Sequence, residues 1–277
     1  MGERWDRFWY GEVAAIRLDA FRQALLFTLV FYMLARWMYA SEWLTELGFH
    51  PSPAADHDDS PQLPLLPPAL LPAFGALLFG SMALVIFGWL RRAATWPTLA
   101  LVFYVGAADP VAEFTLNRLY VFALLVLALS PRPWLSGQVM VLRAWPLRVL
   151  QLSLLVHYLA AGLCKALHGD WLRADDVLWM QIQGLYMTDA AAWLARVLPT
   201  WAFTAQQHAA LAFELLAPLL IGLRRLRPLG LLIGVFMHLV IAVTMNQLIY
   251  FSLQMVAFYV VFLDPATLER WRRRLGR

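Results

Sequence analysis

The chain alternates long apolar runs with short breaks that are polar, arginine-bearing or proline-rich, and the runs recur from one end to the other. Most are long enough to cross about 30 Å of hydrocarbon as a helix. Their limits predict eight spans, at about Leu18–Tyr39, Leu70–Leu90, Thr95–Ala108, Glu113–Ser130, Pro146–Leu167, Trp201–Leu223, Pro228–Gln247 and Leu248–Phe262. Thr95–Ala108 is short, which leaves a re-entrant segment open there. Leu18–Tyr39 is too long for the core of a signal peptide and has no small-residue cleavage site after it, so it reads as a retained span. The expected fold class is an all-α integral membrane protein, one polytopic bundle of about eight transmembrane helices, with residues 1–277 forming a single unit.

Charge follows the same pattern. With the amino terminus placed inside, sixteen of the 22 lysines and arginines fall in inner segments, and only Arg118, Lys165, Arg173 and Arg196 fall outside. Arg22 and Arg36 lie within the first span as interfacial anchors. This bias predicts an even number of crossings with both termini cytoplasmic. The 13 tryptophans sit near span ends or in the loops beside them, where an indole buries its ring and keeps its N–H wet. At 61% hydrophobic and 14% charged, with a mean hydropathy of +0.62, the chain excludes a soluble domain and has membrane lipids as its first partner. The net charge of +4 orients the chain and needs no nucleic acid to explain it.

Two outer loops are long. Ser41–Ala69 carries six prolines and the acidic run Asp56-His57-Asp58-Asp59, which reads as a solvated loop, with no metal expected. Residues 166–200 mix Trp171, Val177, Leu178 and Ile182 with Asp170, Asp175 and Asp176, the pattern of short amphipathic helices lying on the membrane surface. Cys164 is the single cysteine, so no intrachain disulfide exists, and it reads as a small packing residue.

Within the spans, Gln151, His157, Lys165, Glu214, His238, Asn246 and Gln254 need explanation. From the predicted span ends and a rise of about 1.5 Å per residue, Lys165 lies about 3 Å below the outer end of its span. His157 then lies about 15 Å down, His238 about 14 Å, and Glu214 about 20 Å. Ionisable groups at several depths imply a polar pocket opening outward with Lys165 at its mouth. Tyr158, seven residues before Lys165, shares its helix face with Ala161 and Gly162, whose small side chains admit either a neighbouring helix or a flat ligand such as a quinone. The plainer alternative is that Lys165 snorkels to headgroups, toward Asp170, while the histidines make interhelical hydrogen bonds.

The run His157-Tyr158-Leu159-Ala160-Ala161-Gly162-Leu163-Cys164-Lys165 is followed by Asp170-Trp171, Phe213-Glu214 with Pro218, Phe236-Met237-His238, and Phe251-Ser252-Leu253-Gln254-Met255-Val256-Ala257. In order and spacing these motifs resemble the HTTM family, the membrane domain shared with vitamin K-dependent γ-carboxylases. The likeness covers about Leu150 to Asp264. It implies a bacterial inner-membrane protein in which Lys165 is the base that deprotonates a reduced quinone, menaquinol or vitamin K hydroquinone-like, for epoxidation- or carboxylation-type chemistry. Such a base must be an uncharged amine. His238 matches a site histidine of the carboxylases, and Tyr158, His157, Gly162, Glu214 and Arg118 are the expected ligand-binding residues. Arg118 follows Asn117 where the carboxylases carry an Asn-His pair, so an anion-holding role is expected of it. Those enzymes present a peptide or protein substrate on a large outer domain, whereas this chain ends at Arg277. The alternative expectation is a non-catalytic membrane subunit that assists maturation or export of a peptide or secreted protein through a partner on the outer side.

Overall fold

The computed structural model describes residues 2–50, 63–108 and 115–275. The acidic run at Asp56–Asp59 and the start of the predicted fourth span lie outside the described residues. The chain is mostly helical: α1 (Gly2–Tyr10), α2 (Ile16–Trp37), α3 (Ala40–Leu44), α4 (Leu71–Ile86), α5 (Arg91–Ala108), α6 (Thr115–Leu129), α7 (Trp145–His168), α8 (Val177–Ile182), α9 (Asp189–Val197), α10 (Thr200–Gly222), α11 (Arg227–Thr244), α12 (Leu248–Tyr259) and α13 (Pro265–Leu275). Every apolar run of the sequence coincides with one of the eight longer helices from α2 to α12. By length and composition four of them can cross a bilayer: α2, α4 with the turn before it (Pro68–Ile86), α7 and α11. A fifth is added if Leu248–Phe262 and Pro265–Arg274, bent by 114°, form one broken span. Large apolar side chains such as Val156, Leu232 and Phe236 are exposed on α7 and α11, as hydrocarbon-facing helices require.

The helices group into two compact units, residues 11–146 and residues 1–10 with 147–277. In the first, α2, α4, α5 and α6 pack as neighbours. Gly75 on α4 leaves room for the Trp37 ring, which stacks on Phe74. Tyr120 on α6 is fully buried, donates to Thr28 Oγ1 at 3.1 Å and stacks on Tyr32, joining α6 to α2. The expected short third span is a full turn longer, because α5 begins at Arg91 and carries Pro97 in its second turn.

This unit also holds a feature that hydropathy does not predict: a three-stranded antiparallel sheet of β1 (Glu12–Ala14), β2 (Trp134–Ser136) and β3 (Val139–Arg143) in the order β1-β3-β2. The all-α expectation is corrected to that extent. Gly137, at φ +60°, supplies the left-handed residue of a two-residue hairpin loop between β2 and β3. The short apolar run Val139-Met140-Val141-Leu142 after a Ser-Gly pair carries the signal, but three short strands are invisible to a window sized for spans.

In the second unit, α10, α11 and α12 form consecutive hairpins. Arg227, at the start of α11, donates to the carbonyls of Ile221 and Gly222 at 3.0 and 3.2 Å, satisfying the open end of α10. Gln151 of α7 donates to the Val261 carbonyl at 2.9 Å and accepts from Arg148 Nη1 at 2.9 Å. The buried face of α11 is Gly230, Gly234, His238 and Thr244, a small-residue stripe with the histidine at its continuation. A Cβ on Gly230 would lie 2.8 Å from the Leu220 carbonyl, and one on Gly234 would collide with the Tyr259 hydroxyl.

Gly230→Ala and Gly234→Ala should each destabilise the protein by about 1–3 kcal/mol through overpacking. Gly80→Ala, where an added Cβ meets nothing within 4 Å, should be neutral. Thermal unfolding in detergent measures the difference.

Candidate functional site

Lys165 lies in the last turn of α7 with 31% of its side chain exposed, and its Nζ donates to Glu214 Oε1 of α10 at 2.5 Å. The approach of the two helices makes this contact possible. A Cβ at Gly162 would stand 3.0 Å from the Leu215 nitrogen and 3.1 Å from Glu214 Cβ, so the space that the sequence leaves for a helix or a flat ligand is taken here by α10. The Trp171 ring lies across the ammonium, 4.5 Å from Nζ to the ring centroid. Lys165 therefore makes neither the expected reach toward Asp170 nor the appearance of a free amine. The carboxylate and the ring together replace much of the hydration lost on leaving water. Glu214 Oε2 is buried and has no hydrogen-bond partner among the described residues.

The depths expected for this pair were far apart, about 3 Å for Lys165 and about 20 Å for Glu214 at the helical rise per residue. They touch because α10 starts at Thr200, well before Glu214, whereas α7 stops at His168, just after Lys165, so the first turns of α10 extend past the end of α7. Those turns carry Thr204 and Gln207, which hold the segment between α7 and α10. Gln207 is fully buried. Its Nε2 donates to the carbonyls of Trp171 and Ala174 at 2.9 and 2.7 Å, and its Oε1 accepts from the Leu178 nitrogen at 3.0 Å. Thr204 Oγ1 donates to the Asp175 carbonyl at 2.5 Å. One side chain on α10 thus seats the backbone whose tryptophan covers Lys165.

The rest of that segment forms the expected short helices, α8 and α9, after a 3-10 turn at Asp170–Leu172. Ile182, Ala191, Phe203 and Met245 make its small apolar core. Thr188 Oγ1 caps α9 and donates to the Val243 carbonyl, and the Asn246 nitrogen donates to the Tyr186 carbonyl. These bonds fasten the segment to the end of α11 and the residues just after it, and the Asn246 side chain turns back locally, its Oδ1 accepting from the Gln247 nitrogen at 2.9 Å.

Below the ion pair on α7, Tyr158 is 2% exposed. Its hydroxyl lies 2.7 Å from His238 Nε2 and 2.5 Å from the Tyr259 hydroxyl. His238 is 1% exposed, and its Nδ1 has no partner among the described residues. Phe213 packs edge-on against Tyr158 and Phe251 against His238, so aromatic walls enclose the chain of polar groups. Ser252 Oγ is a further buried atom without a partner among the described residues.

The structure brings together Lys165, Glu214 and Gly162 at one contact, and Tyr158 and His238 at another. His157 is half-buried and makes no side-chain hydrogen bond among the described residues. Arg118 is an exposed residue of the other compact unit, next to Asn117, which is 1% exposed with both side-chain polar atoms unpartnered among the described residues. Cys164 is exposed and does not pack inside. Sequence reasoning missed Tyr259, Gln207 and Gly234. The spacing Gly230-x-x-x-Gly234, continued by His238 one turn later, carried the signal for Gly234 and for a close neighbour there. Tyr259 and Gln207 carried none, since a tyrosine near the end of an apolar run reads as an interfacial anchor and a glutamine near the start of one reads as wet.

No family model matches the sequence, and neither a curated protein nor a solved structure matches it.

Lys165→Met alone should cost roughly 3 kcal/mol, because it strands a buried carboxylate, while Lys165→Met with Glu214→Leu should recover most of the loss. Unfolding midpoints of the two variants test the sign. Gln207→Leu should loosen residues 171–178 and leave α7, α10 and α11 intact, read as faster hydrogen exchange and proteolysis confined to that segment.

Proposed function

We propose that this chain is an inner-membrane protein of the HTTM type, related to the membrane domain of vitamin K-dependent γ-carboxylases. It crosses the bilayer about eight times with both termini cytoplasmic, and binds a reduced quinone or similar lipid beside α7, α10, α11 and α12. The four longer helices that do not qualify as spans on their own, α5, α6, α10 and α12, coincide with the remaining apolar runs and supply the other crossings. The arginine bias supports the orientation.

One observation carries the functional reading. Glu214 Oε2 and His238 Nδ1 are buried polar atoms that the described residues leave unpartnered, and both belong to side chains already engaged on their other polar atom. Buried polar groups in this state are rare unless a ligand or water completes them. A lipid carrying hydroxyl and ring oxygens fits that donor and acceptor set, between aromatic walls from Tyr158, Phe213 and Phe251. When bound, a reduced quinone supplies acidic hydroxyls and two reducing equivalents for oxygen-dependent chemistry.

The residues divide the work in a way that differs from a lone lysine base. Lys165 Nζ already donates to Glu214 Oε1 across 2.5 Å, so a base at this place is the two side chains together and not the amine alone. The pair is the acid–base unit, with Oε2 the face open to a hydroxyl. Trp171, seated by the segment that Gln207 holds, covers one side of the ammonium, and the Lys165 side chain stays 31% exposed on the other.

A second reading is favoured by the same contact. Glu214 and Trp171 both engage the Lys165 ammonium, so that it also serves as a pin for the segment above it, as a non-catalytic subunit assisting a peptide or secreted protein would need. Purified protein analysed by lipid mass spectrometry should retain a quinone, and menaquinol epoxidation should fall by about 100-fold or more in Lys165→Ala. Equal turnover in both proteins removes the catalytic role. A stoichiometric co-purifying partner, with function unaffected by Lys165→Ala, supports the subunit.

A further inference from the structure

We infer that His238 meets its ligand as a hydrogen-bond donor through Nδ1–H, and that Tyr259 and Tyr158 are positioning residues that lock it in this tautomer. The ligand atom opposite is therefore an acceptor oxygen, whether of a carbonyl, an oxyanion or a hydroxyl, and never a hydroxyl proton to be removed. This rests on the quinol reading only for the identity of the lipid.

The argument is an accounting of protons along one chain of hydrogen bonds. Among the described residues Tyr259 has a single polar partner, the Tyr158 hydroxyl at 2.5 Å, and its oxygen otherwise lies against Gly234, so closely that an added Cβ would collide with it. A phenol carries one proton, and this one has nowhere to go except to the Tyr158 oxygen. Tyr158 then uses its oxygen as acceptor, and its own proton is directed at its remaining partner, His238 Nε2, at 2.7 Å. Nε2 must present its lone pair. A neutral imidazole with Nε2 as acceptor carries its hydrogen on Nδ1.

The opposite direction leaves more undone. If Nε2–H donated to Tyr158, and Tyr158 to Tyr259, the Tyr259 proton would be buried against Gly234 without an acceptor, and Nδ1 would remain bare as well. The first arrangement leaves one group open, Nδ1–H, at the place where no described residue answers it. Its surroundings are aromatic: Phe251 lies at 5.5 Å between ring centroids and Tyr158 at 6.1 Å. A donor in such a setting singles out an acceptor oxygen strongly, because few competing partners and little water are at hand. Glu214 Oε2 makes the complementary demand for an O–H donor. The notch at Gly234 is thus a functional feature, since it admits the Tyr259 hydroxyl that sets the direction of the whole chain.

The test reads the tautomer directly. The full chain with ¹⁵N,¹³C-histidine, in lipid bilayers and without added ligand, is examined by solid-state NMR, with His238 assigned from the signals missing in His238→Gln. The expected result is a neutral ring protonated at Nδ1 and bare at Nε2. A ring protonated at Nε2, or an imidazolium, overturns the inference without need of a folded tyrosine variant. Tyr158→Phe should lose the preference and show Nε2–H, and an unchanged tautomer there removes the positioning role. Adding 2-methyl-1,4-naphthoquinone, which only accepts hydrogen bonds, should then move the Nδ1 signal and leave Nε2 largely in place. Retained quinone with an unmoved Nδ1 also overturns the inference. Failure of the quinone to bind at all overturns the lipid class proposed above and leaves the tautomer, already read in its absence, standing as measured.

Discussion

The ion pair of Lys165 and Glu214 is the constraint around which the second unit is arranged. An ammonium and a carboxylate among apolar helices are tolerable only together, and only if the helices bearing them come close. Gly162 supplies that closeness, since any side chain there would press on the backbone at Leu215. The pair also needs cover. Trp171 gives it, and Trp171 is in place because Gln207, two turns before Glu214 on the same helix, binds the backbone around it. A charge pair, a glycine and an amide side chain form one dependent set.

The polar chain of Tyr158, His238 and Tyr259 obeys the same logic without formal charge. A buried hydroxyl or imidazole is costly unless bonded, so each of the three is held by another. The small residues Gly230 and Gly234 let α11 lie against α10 and Tyr259 closely enough for the bonds to form. Where the bonding stops, at His238 Nδ1 and Glu214 Oε2, the structure has polar capacity that packing does not explain. Ser252 Oγ of α12 is left open in the same way among the described residues, and buried groups in this state are ones that a water or a ligand would complete.

Much of the helical framework was legible in the sequence, because a helix in a bilayer must satisfy its backbone internally and clothe itself in apolar side chains, and both leave long signatures. The stretch read as Trp201–Leu223 is α10, and the loop of residues 166–200 contains the short helices its mixed pattern implied. The sheet at Glu12–Ala14 and Trp134–Arg143 escaped, since strands of three to five residues are lost in a window sized for spans and β1 pairs with β3 from more than a hundred positions away. Of the site, Lys165, Glu214, Tyr158 and His238 could be named as polar exceptions in apolar runs. Which of them touch could not, and reckoning depth from span ends separated Lys165 from Glu214 when they are bonded.

The one-dimensional order of residues therefore determined where helices form, which residues are anomalous within them, and the bias of charge between their ends. These follow from local cost: an apolar run, a misplaced ion or an arginine-rich break has its energetic meaning whatever its neighbours are. Tertiary structure alone decided that Lys165 meets Glu214 and Trp171 instead of Asp170 or open water, that Tyr259 completes the chain through Tyr158, and that Arg118 belongs to the other unit. The reason is that partnership depends on helix rotation, axial offset and close approach at single glycines. Those quantities are set by packing over the whole assembly of helices, and no residue carries them by itself.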